Sequence, residues 1–495
     1  MWSRFDFLIA VGFPMTVVVY CLSTFEFDSE KLAINTSIFP PGQFERQARV
    51  IANPVQVANV LTSLNSLRIR SALSFFTRVG TNLALCHQFS RLVNASRKPT
   101  DKHQSVYPRR HPVALLFVVV PIAIAVFVSK SIGTSELVCL PHPECIVHAF
   151  RWTKIREGDK TQCPCLTLID EEVAPKTFAE WLMPKNVTEK VAQLASTGDL
   201  QTLQLTNRYL PELPAELRRC TNMKHISLFY THTETLPTWA KEFTKLEYLH
   251  IEGKLFVSSL SSLPDDLFDD MDLLTTIHLG VHIMLKHLPI FRGLVNLRSL
   301  TLALLLQLEQ LPVFASLSKL EQLTLAVMPT MDAFPDMAPL TNLIDFVIAY
   351  RGTMCCNGFL DNRCDPSMPI CAIHAIWEDP VIHCLPVNRT DKIATDATRR
   401  AFAKFPASVC ADSPYNQARS INFPSPEDSA QCNGTLYRQR VRPGNVTGIC
   451  YNPRMMPILF DISGFPVEIR KRQILEKVGD PCNPEVEAWL GCQPE

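Results

Sequence analysis

The stretch LRSLTLALLLQLEQLPVFASLSKLEQLTLAVMPTMDAFP (297–335) contains one pattern twice, with its two starts 23 residues apart. Each copy reads apolar-x-x-apolar-x-apolar and is followed by Leu-Pro or Phe-Pro. Outward from this stretch the pattern recurs, so that five of its six intervals are 23 residues and one is 28. Its seven starts are Leu200, Met223, Leu246, Leu274, Leu297, Leu320 and Leu343.

Such a fixed period predicts a leucine-rich-repeat solenoid, in which each unit contributes one short parallel strand. Because a single unit cannot bury its own apolar face, the units stack and share one core. The Leu-Pro pairs fall where the chain turns to the convex side, because a missing N–H is tolerated there. We therefore predict an α/β solenoid of seven repeats, flanked by cysteine-rich caps and preceded by transmembrane helices.

Two apolar segments precede the repeats. Residues 7–25 are uncharged, which is long enough in a helix to span a hydrocarbon core of about 30 Å. A second apolar segment, 112–130, follows Arg109 and Arg110 and contains Pro121. Both are predicted membrane helices; the alternatives are buried core helices or, for the first, a cleaved signal peptide.

The charges predict the orientation of these helices. Residues 26–111 hold 12 Lys and Arg against 5 Asp and Glu, whereas residues 129–495 hold 35 against 42. The positive-inside rule then places residues 26–111 in the cytoplasm and the rest of the chain outside. The basic segment is either an amphipathic helix on the inner leaflet or a solvated linker.

The predicted organisation has six parts. They are a first transmembrane helix (1–25), a basic cytoplasmic segment (26–111), a second transmembrane helix (112–130), a cysteine-containing N-terminal cap (131–199), the repeats (200–350) and a cysteine-rich C-terminal domain (351–495).

Cysteine usage supports an oxidising compartment for everything after the second apolar segment, because fifteen of the 17 cysteines lie there. Only Cys220 falls inside the solenoid, and it is predicted to be unpaired. Cys163 and Cys165 are too close to bridge each other and are expected to pair with Cys139 and Cys145. Ten candidates follow the repeats, with connectivity left open: Cys355, Cys356, Cys364, Cys371, Cys384, Cys410, Cys432, Cys450, Cys482 and Cys492.

Six N-x-[ST] sequons occur, and the predicted topology divides them. Those on the outer side, predicted to carry glycans, are Asn186, Asn388, Asn433 and Asn445. Asn35 and Asn94 would face the cytoplasm and stay unmodified.

Positions three, five and seven of each repeat point outward on the concave surface, and neighbouring strands lie about 4.8 Å apart. Repeats two to four gather large side chains there, whereas repeats five to seven offer mostly small ones. The predicted ligand-binding residues are His225, Phe229, Tyr248, His250, Glu252 and His278. The alternative is a solvated face of mixed composition, which we prefer to a metal site, so that no metal is predicted.

Two further observations bear on chemistry. Position nine, usually the asparagine of a buried amide ladder, is here Arg208, Thr231, Lys254, His282, Leu305 and Met328, so the turn after each strand is less well predicted. Cys364, Cys371 and His374 have a zinc-like spacing, but an oxidising compartment favours disulfides. No motif of a hydrolase, metalloprotease or nucleotide-binding enzyme occurs, so neither an enzyme nor a cofactor is predicted.

Several blocks resemble a family of oomycete membrane proteins that combine leucine-rich repeats with a C-terminal WLGC domain. The matching blocks are FPPGQFERQARVIANPVQ (39–56), QCPCLTLID (162–170), VAPKTFAEWL (173–182), KNVTEKVAQLASTGDLQTLQLTNRYLPELP (185–214), CCNGFLDNRC (355–364), NGTLYRQR (433–440) and GDPCNPEVEAWLGC (479–492). The resemblance implies membrane helices, an outward repeat domain and the cysteine-rich ending, and it implies no activity for particular residues.

These observations predict a membrane-anchored cell-surface binding protein, acting in adhesion or receptor-like recognition at the plasma membrane. The expected partner is a protein or glycan on the concave face, and no nucleic acid. The alternatives are a membrane-tethered enzyme with its activity in residues 351–495 and an accessory subunit of a channel or transporter. Ligand identity and oligomeric state do not follow from the sequence.

Overall fold

The computed structural model describes residues 12 and 15–19 and most of the chain beyond residue 112. The described ranges there are 113–149, 162–172, 175, 178–254, 257–349, 353–368, 384–386, 392–410, 430–435, 438–442, 444–451, 459–461, 467, 470–471, 473–475, 477 and 481–494. The chain divides into two compact units: residues 134–466 form one, and residues 1–133 with 467–495 form the other.

Helix α1, Val113–Cys139, contains most of the predicted second membrane helix. Its side chains at Val119, Ile122 and Val126 are more than half exposed. Among the helices that the structure describes, none qualifies by length and apolar character as a membrane span. The predicted segments 1–25 and 26–111 lie almost entirely outside the described residues.

A nine-stranded sheet forms the solenoid, with its strands in chain order. The first strand, β1, pairs antiparallel with β2, and all later pairs are parallel and in register. The strands are β1 (Cys145–His148), β2 (Cys165–Glu171), β3 (Thr202–Thr206), β4 (His225–Phe229), β5 (Tyr248–Glu252), β6 (Thr276–Gly280), β7 (Ser299–Ala303), β8 (Gln322–Ala326) and β9 (Asp345–Ala349). Strands β3–β9 are the seven predicted repeat strands and enclose six turns, which confirms the solenoid.

The core consists of the positions that the repeat pattern predicts. All side chains at positions one, four and six of the seven repeats are at most 5% exposed. Each leucine buried in this way contributes about 1.5–3 kcal/mol relative to an exposed one. On the convex side, the buried rings of Phe243, Phe268, Phe291 and Phe314 close the core.

Position eight, directly after the strands, carries the sharp turn of the repeat. Its backbone is left-handed, with φ between 50° and 58°, at Asn207, Tyr230, Val281, Leu304 and Val327. Valine rarely adopts this conformation, and such a residue stores about 1–3 kcal/mol of strain. The parallel stack on both sides therefore holds the turn, because no asparagine ladder is present.

The Leu-Pro pairs open the convex side, as the sequence predicts, in the first two repeats. Pro214 precedes the short 3-10 helix η1, Ala215–Arg219, and Pro237 precedes η2, Thr238–Glu242. Both prolines are extended, with φ near their fixed value, so that the missing N–H lies outside the helical hydrogen bonds.

The N-terminal cap extends the sheet beyond the predicted repeats. Disulfides Cys139–Cys163 and Cys145–Cys165 hold β1 and β2 in place and confirm the predicted pairing. Two short helices follow, α2 (Phe178–Leu182) and α3 (Thr188–Ala195). Polar contacts also join the cap: Lys190 pairs with Glu144 and Asp170, and Asp170 pairs with Arg208 of the first repeat.

The C-terminal end of the solenoid is covered by a 3-10 helix, η3 (Thr353–Cys355), and by helices α4 (Asp396–Lys404) and α5 (Pro406–Val409). Phe402 of α4 lies 5.2 Å from the Phe346 ring of β9, measured between centroids. Lys404 and Ser408 donate hydrogen bonds to the carbonyls of Leu343 and Phe346. Disulfides Cys355–Cys410 and Cys364–Cys384 close this cap.

Within residues 134–466, a second sheet follows the cap. Strands β10 (Gln439–Arg442), β11 (Val446–Tyr451) and β12 (Leu459–Asp461) form an antiparallel meander. The buried disulfide Cys432–Cys450 joins the segment before β10 to β11.

The other unit contains the end of the chain. Helix α6 (Pro484–Glu487) continues into the 3-10 helix η4 (Ala488–Leu490), and Cys482–Cys492 closes them into a loop. Buried Arg470 makes two hydrogen bonds to the Glu487 carboxylate, at 2.7 and 3.0 Å. Gly491 ends η4 with φ of 100°, which side-chain-bearing residues rarely adopt. The Trp-Leu-Gly-Cys ending thus forms a helix terminus that a disulfide holds.

Candidate functional site

The six predicted ligand-binding residues lie together on the concave face of β4, β5 and β6. Register places His225 beside Tyr248, Phe229 beside Glu252, and His250 beside His278. We call the set His225, Phe229, Tyr248, His250, Glu252 and His278 the concave cluster. The structure brings all six together, while their role in binding remains a prediction.

Stacked rings connect the cluster across the three strands. His225 and Tyr248 are parallel, with centroids 4.2 Å apart and 1° between their planes. His250 stacks on His278 at 3.8 Å and contacts the Phe229 ring at 4.2 Å. Ring pairs of this kind contribute about 0.5–1.5 kcal/mol beyond the area they bury. The rings therefore form a row across β4, β5 and β6 in which each ring contacts at least one other.

Hydrogen bonds orient the polar atoms of the cluster. Tyr230, at position eight of the second repeat, donates from its hydroxyl to Glu252 Oε1 at 3.0 Å. His250 lies between Tyr248 Oη, 3.2 Å from Nδ1, and Glu252 Oε2, 3.2 Å from Nε2. Burial and the adjacent His250 lower the pKa of His278 to about 3, which keeps that imidazole neutral at physiological pH.

The cluster ends where the sequence predicts, at the fourth repeat. Position seven changes from Glu252 to Gly280, and in the next three repeats it is alanine. Position five becomes Thr301, Thr324 and then Val347. Aromatic and histidine side chains are therefore concentrated on three of the seven repeats.

Sequence reasoning missed one contact beside the cluster, made by Lys254 at position nine. This lysine is 2% exposed; it donates to the carbonyl of Trp181 and, at 2.6 Å, to Asn207 Oδ1. Its ammonium also lies 4.2 Å from the centroid of the Trp181 ring. Burial lowers the pKa of Lys254 to about 7. The only signal in the sequence was a lysine where an asparagine is usual, and it did not reveal a partner 73 residues away.

Trp181 also packs edge-on against Tyr230, with centroids 5.0 Å apart. Helix α2 of the N-terminal cap therefore lies across the ends of β4 and β5. Since Tyr230 holds Glu252, the cap supports one side of the concave cluster.

Two buried histidines lie in the turns behind the cluster. His282 Nε2 donates to the carbonyl of Ile251 at 3.0 Å, while its Nδ1 finds no hydrogen-bond partner among the residues that the structure describes. His232 Nε2 is likewise buried without a partner in the described part of the chain, and its ring contacts Tyr209 at 5.6 Å. Burial lowers the pKa of each to about 4, with the Lys254 ammonium adding to the effect at His232.

These two histidines predict a loss of stability in mild acid. Unfolded histidine binds a proton near pH 6.5, whereas the folded groups bind one only near pH 4, so acid favours the unfolded chain between these values. We expect His232 to lower the free energy of unfolding by about 2 kcal/mol between pH 7 and pH 5. His282 adds a loss of the same sign.

Denaturant unfolding at pH 7 and pH 5 tests this expectation with the variant His232→Asn. Asparagine does not titrate and tolerates the left-handed backbone at this residue, where φ is 58°. The variant should lose about 2 kcal/mol less than the natural chain over this interval. Equal losses in both proteins would contradict the prediction.

The other predicted site residues divide as follows. Asn186, Asn433 and Asn445 are exposed, while Asn388 lies outside the described residues. Cys220 is buried and unpaired, as predicted. Cys364 is disulfide-bonded to Cys384, so it cannot act as a zinc ligand in this state, and Cys371 and His374 are not among the described residues.

Comparison with known proteins bears on the end of the chain. Residues 427–493 match the WLGC domain. This match contains β10–β12 and the disulfide-closed ending, and it confirms the domain that the resemblance implied. The predicted oomycete origin remains a prediction. None of the curated proteins compared with the chain matches it.

Solved structures similar to this chain include leucine-rich-repeat proteins. The leucine-rich-repeat domain of the type III effector XopL is 13% identical and covers 50% of this chain and 98% of its own, with a TM-score of 0.28. A leucine-rich-repeat protein of Leptospira interrogans is 20% identical, covering 33% and 47%, with a TM-score of 0.24. InlJ of Listeria monocytogenes is 12% identical, covering 32% and 42%, at 0.21. Less than half of the latter two chains is matched.

Proposed function

We propose that the chain is a membrane-anchored cell-surface protein whose solenoid binds a protein partner on its concave face. The observation that carries this proposal is the concave cluster. It presents two stacked ring pairs and one tilted pair, with centroids within 4.2 Å, whereas the outward positions of repeats five to seven carry mostly small side chains. Aromatic side chains held in place by their neighbours are typical anchors of protein interfaces.

The surface location is supported by three separate features. The run from residue 113 to 128 is apolar, and it follows a basic segment with 12 positive and 5 negative side chains. Six described disulfides lie at or after residue 139 and favour an oxidising compartment. The sequons at Asn186, Asn433 and Asn445 are exposed and therefore accessible to glycosylation.

The test is cross-linking on intact cells with a reagent that cannot cross membranes, followed by affinity measurement with the captured protein. We expect the full chain to be labelled from outside and to capture a partner. Tyr248→Ala should weaken binding by about 2 kcal/mol, roughly thirtyfold, because it removes a central ring of the cluster.

Gln322→Ala is the matched control, because Gln322 occupies the same column three strands away. Its affinity should stay within a factor of about two. Equal binding by both variants would exclude the cluster as the interface. If the chain binds a glycan array and captures no protein, its partner is a carbohydrate and the proposed protein partner is wrong. If the reagent does not label the chain on intact cells, the surface location is wrong.

A further inference from the structure

Three side chains of the concave cluster converge in a way that the sequence alone did not favour. His250 and His278 are register neighbours on β5 and β6, and Glu252 is two residues along β5, on the same face. One nitrogen of each histidine and one carboxylate oxygen of Glu252 all lie within 4.8 Å of one another. Each of the three carries a lone pair of the kind that binds metal ions.

The donor set is chemically selective. Two imidazoles and one carboxylate suit zinc and its neighbours in the first transition series, whereas calcium and magnesium take oxygen ligands. Three protein ligands also leave a coordination position open, as at catalytic zinc sites.

Neighbouring residues orient two of these ligands. A neutral His250 that donates from Nδ1 to Tyr248 Oη, 3.2 Å away, keeps a lone pair on Nε2, which faces Glu252. The Tyr230 hydroxyl holds the other oxygen of Glu252, leaving Oε2 on the His250 side. Hydrogen bonds from the second shell of this kind fix the tautomer and direction of metal ligands.

Gly280 leaves the gap beside two of the ligands free of a side chain. A Cβ at Gly280 would lie 3.3 Å from both Glu252 Cγ and His278 Nε2. Gly280 is the register neighbour of Glu252, so its bare backbone forms the wall of the space between the ligands. The rings of His250 and His278 are stacked 3.8 Å apart, so they must rotate about χ2 before both nitrogens face one ion, and that torsion is broad in histidine.

We propose that His250, Glu252 and His278 bind one divalent transition-metal ion of the zinc type, with an open coordination position facing the concave groove. The site goes beyond partner binding, and it can be tested without any partner because the ion alone is titrated.

The experiment uses the purified full chain, stripped of metal by a chelator, and titrates it with Zn²⁺ by calorimetry and with Co²⁺ by visible absorption. We expect a site of one ion per chain that is lost on substitution of its ligands, and a Co²⁺ spectrum that reports nitrogen and oxygen ligation. His278→Gln and Glu252→Gln should each weaken that site by about 100-fold or more, since even second-shell losses reach that size.

Two further variants sharpen the result. His287→Gln removes an exposed histidine outside the cluster and should leave the affinity unchanged. Gly280→Ala retains every ligand yet fills the space, so it should weaken binding while circular dichroism stays that of the natural chain. Affinity and stoichiometry that are the same in His278→Gln, Glu252→Gln and the natural chain would overturn the site, as would the absence of binding at micromolar Zn²⁺.

Discussion

Gly293→Ala is expected to lower the free energy of unfolding by at least about 4 kcal/mol, because the backbone itself must move to admit the added Cβ. A Cβ on Gly293 would overlap the carbonyl oxygens of Phe268 and Asp269 in the preceding turn. Neither oxygen belongs to a flexible side chain that could rotate away. The segment of the third repeat that contains Phe268 and the segment of the fourth repeat that contains Gly293 therefore have to move apart. The apolar core beneath them opens as well.

Denaturant unfolding under non-reducing conditions measures this effect. Gly133→Ala is the control, because a Cβ at Gly133 in helix α1 meets no atom within 4 Å. Alanine is also the better helix former, so this control should be neutral or stabilising by up to about 1 kcal/mol. A Gly293→Ala protein as stable as the control would show that the two turns do not approach so closely.

Phe346→Ala is expected to lower the free energy of unfolding by about 3–5 kcal/mol. Phe346 is fully buried in β9, with the Phe334, Phe402 and Phe405 rings between 5.2 and 6.2 Å away. Truncation leaves a cavity between the last repeat and helix α4, because the surrounding rings relax only partly. Helices α4 and α5 should also become more sensitive to proteolysis.

Val313→Ala is the matched control for this prediction. Val313 lies in the same solenoid but is 65% exposed, so its truncation should change stability by less than about 0.5 kcal/mol. Unfolding curves of both variants, with protease digestion of the native proteins, provide the comparison. A loss below about 1 kcal/mol for Phe346→Ala would mean that the cap does not seal the core through this ring.

Strand positions and concave neighbours followed from the sequence because a solenoid is nearly one-dimensional. Each repeat contacts only the repeats beside it, so a period of 23 residues determines which residues are adjacent. The period alone places His250 beside His278. The period did not determine how the rings are oriented. Without the observation that ligand atoms of His250, Glu252 and His278 lie within 4.8 Å of one another, a solvated face of mixed composition was the better expectation.

Contacts between the caps and the repeats did not follow from any period. Strand β2 joins the sheet ahead of the first predicted repeat, although its segment lacks the repeat spacing. Lys254 reaches Trp181 across 73 residues, and Phe402 reaches Phe346 across the C-terminal cap. Such contacts depend on the shapes of the packed surfaces and on which buried polar groups need a partner. Neither property produces a periodic pattern in the sequence.

The sequence by itself determined the solenoid, its core positions, the pairing of Cys163 and Cys165 with Cys139 and Cys145, and the column in which each concave side chain stands. Only the tertiary structure decided how the left-handed turns are held, how the caps seal both ends and that three ligand atoms converge beside Gly280. The physical reason is the distance along the chain over which each property is determined. Periodic burial is a local property repeated along the chain, whereas convergence depends on rotamers and close approaches that distant segments impose together.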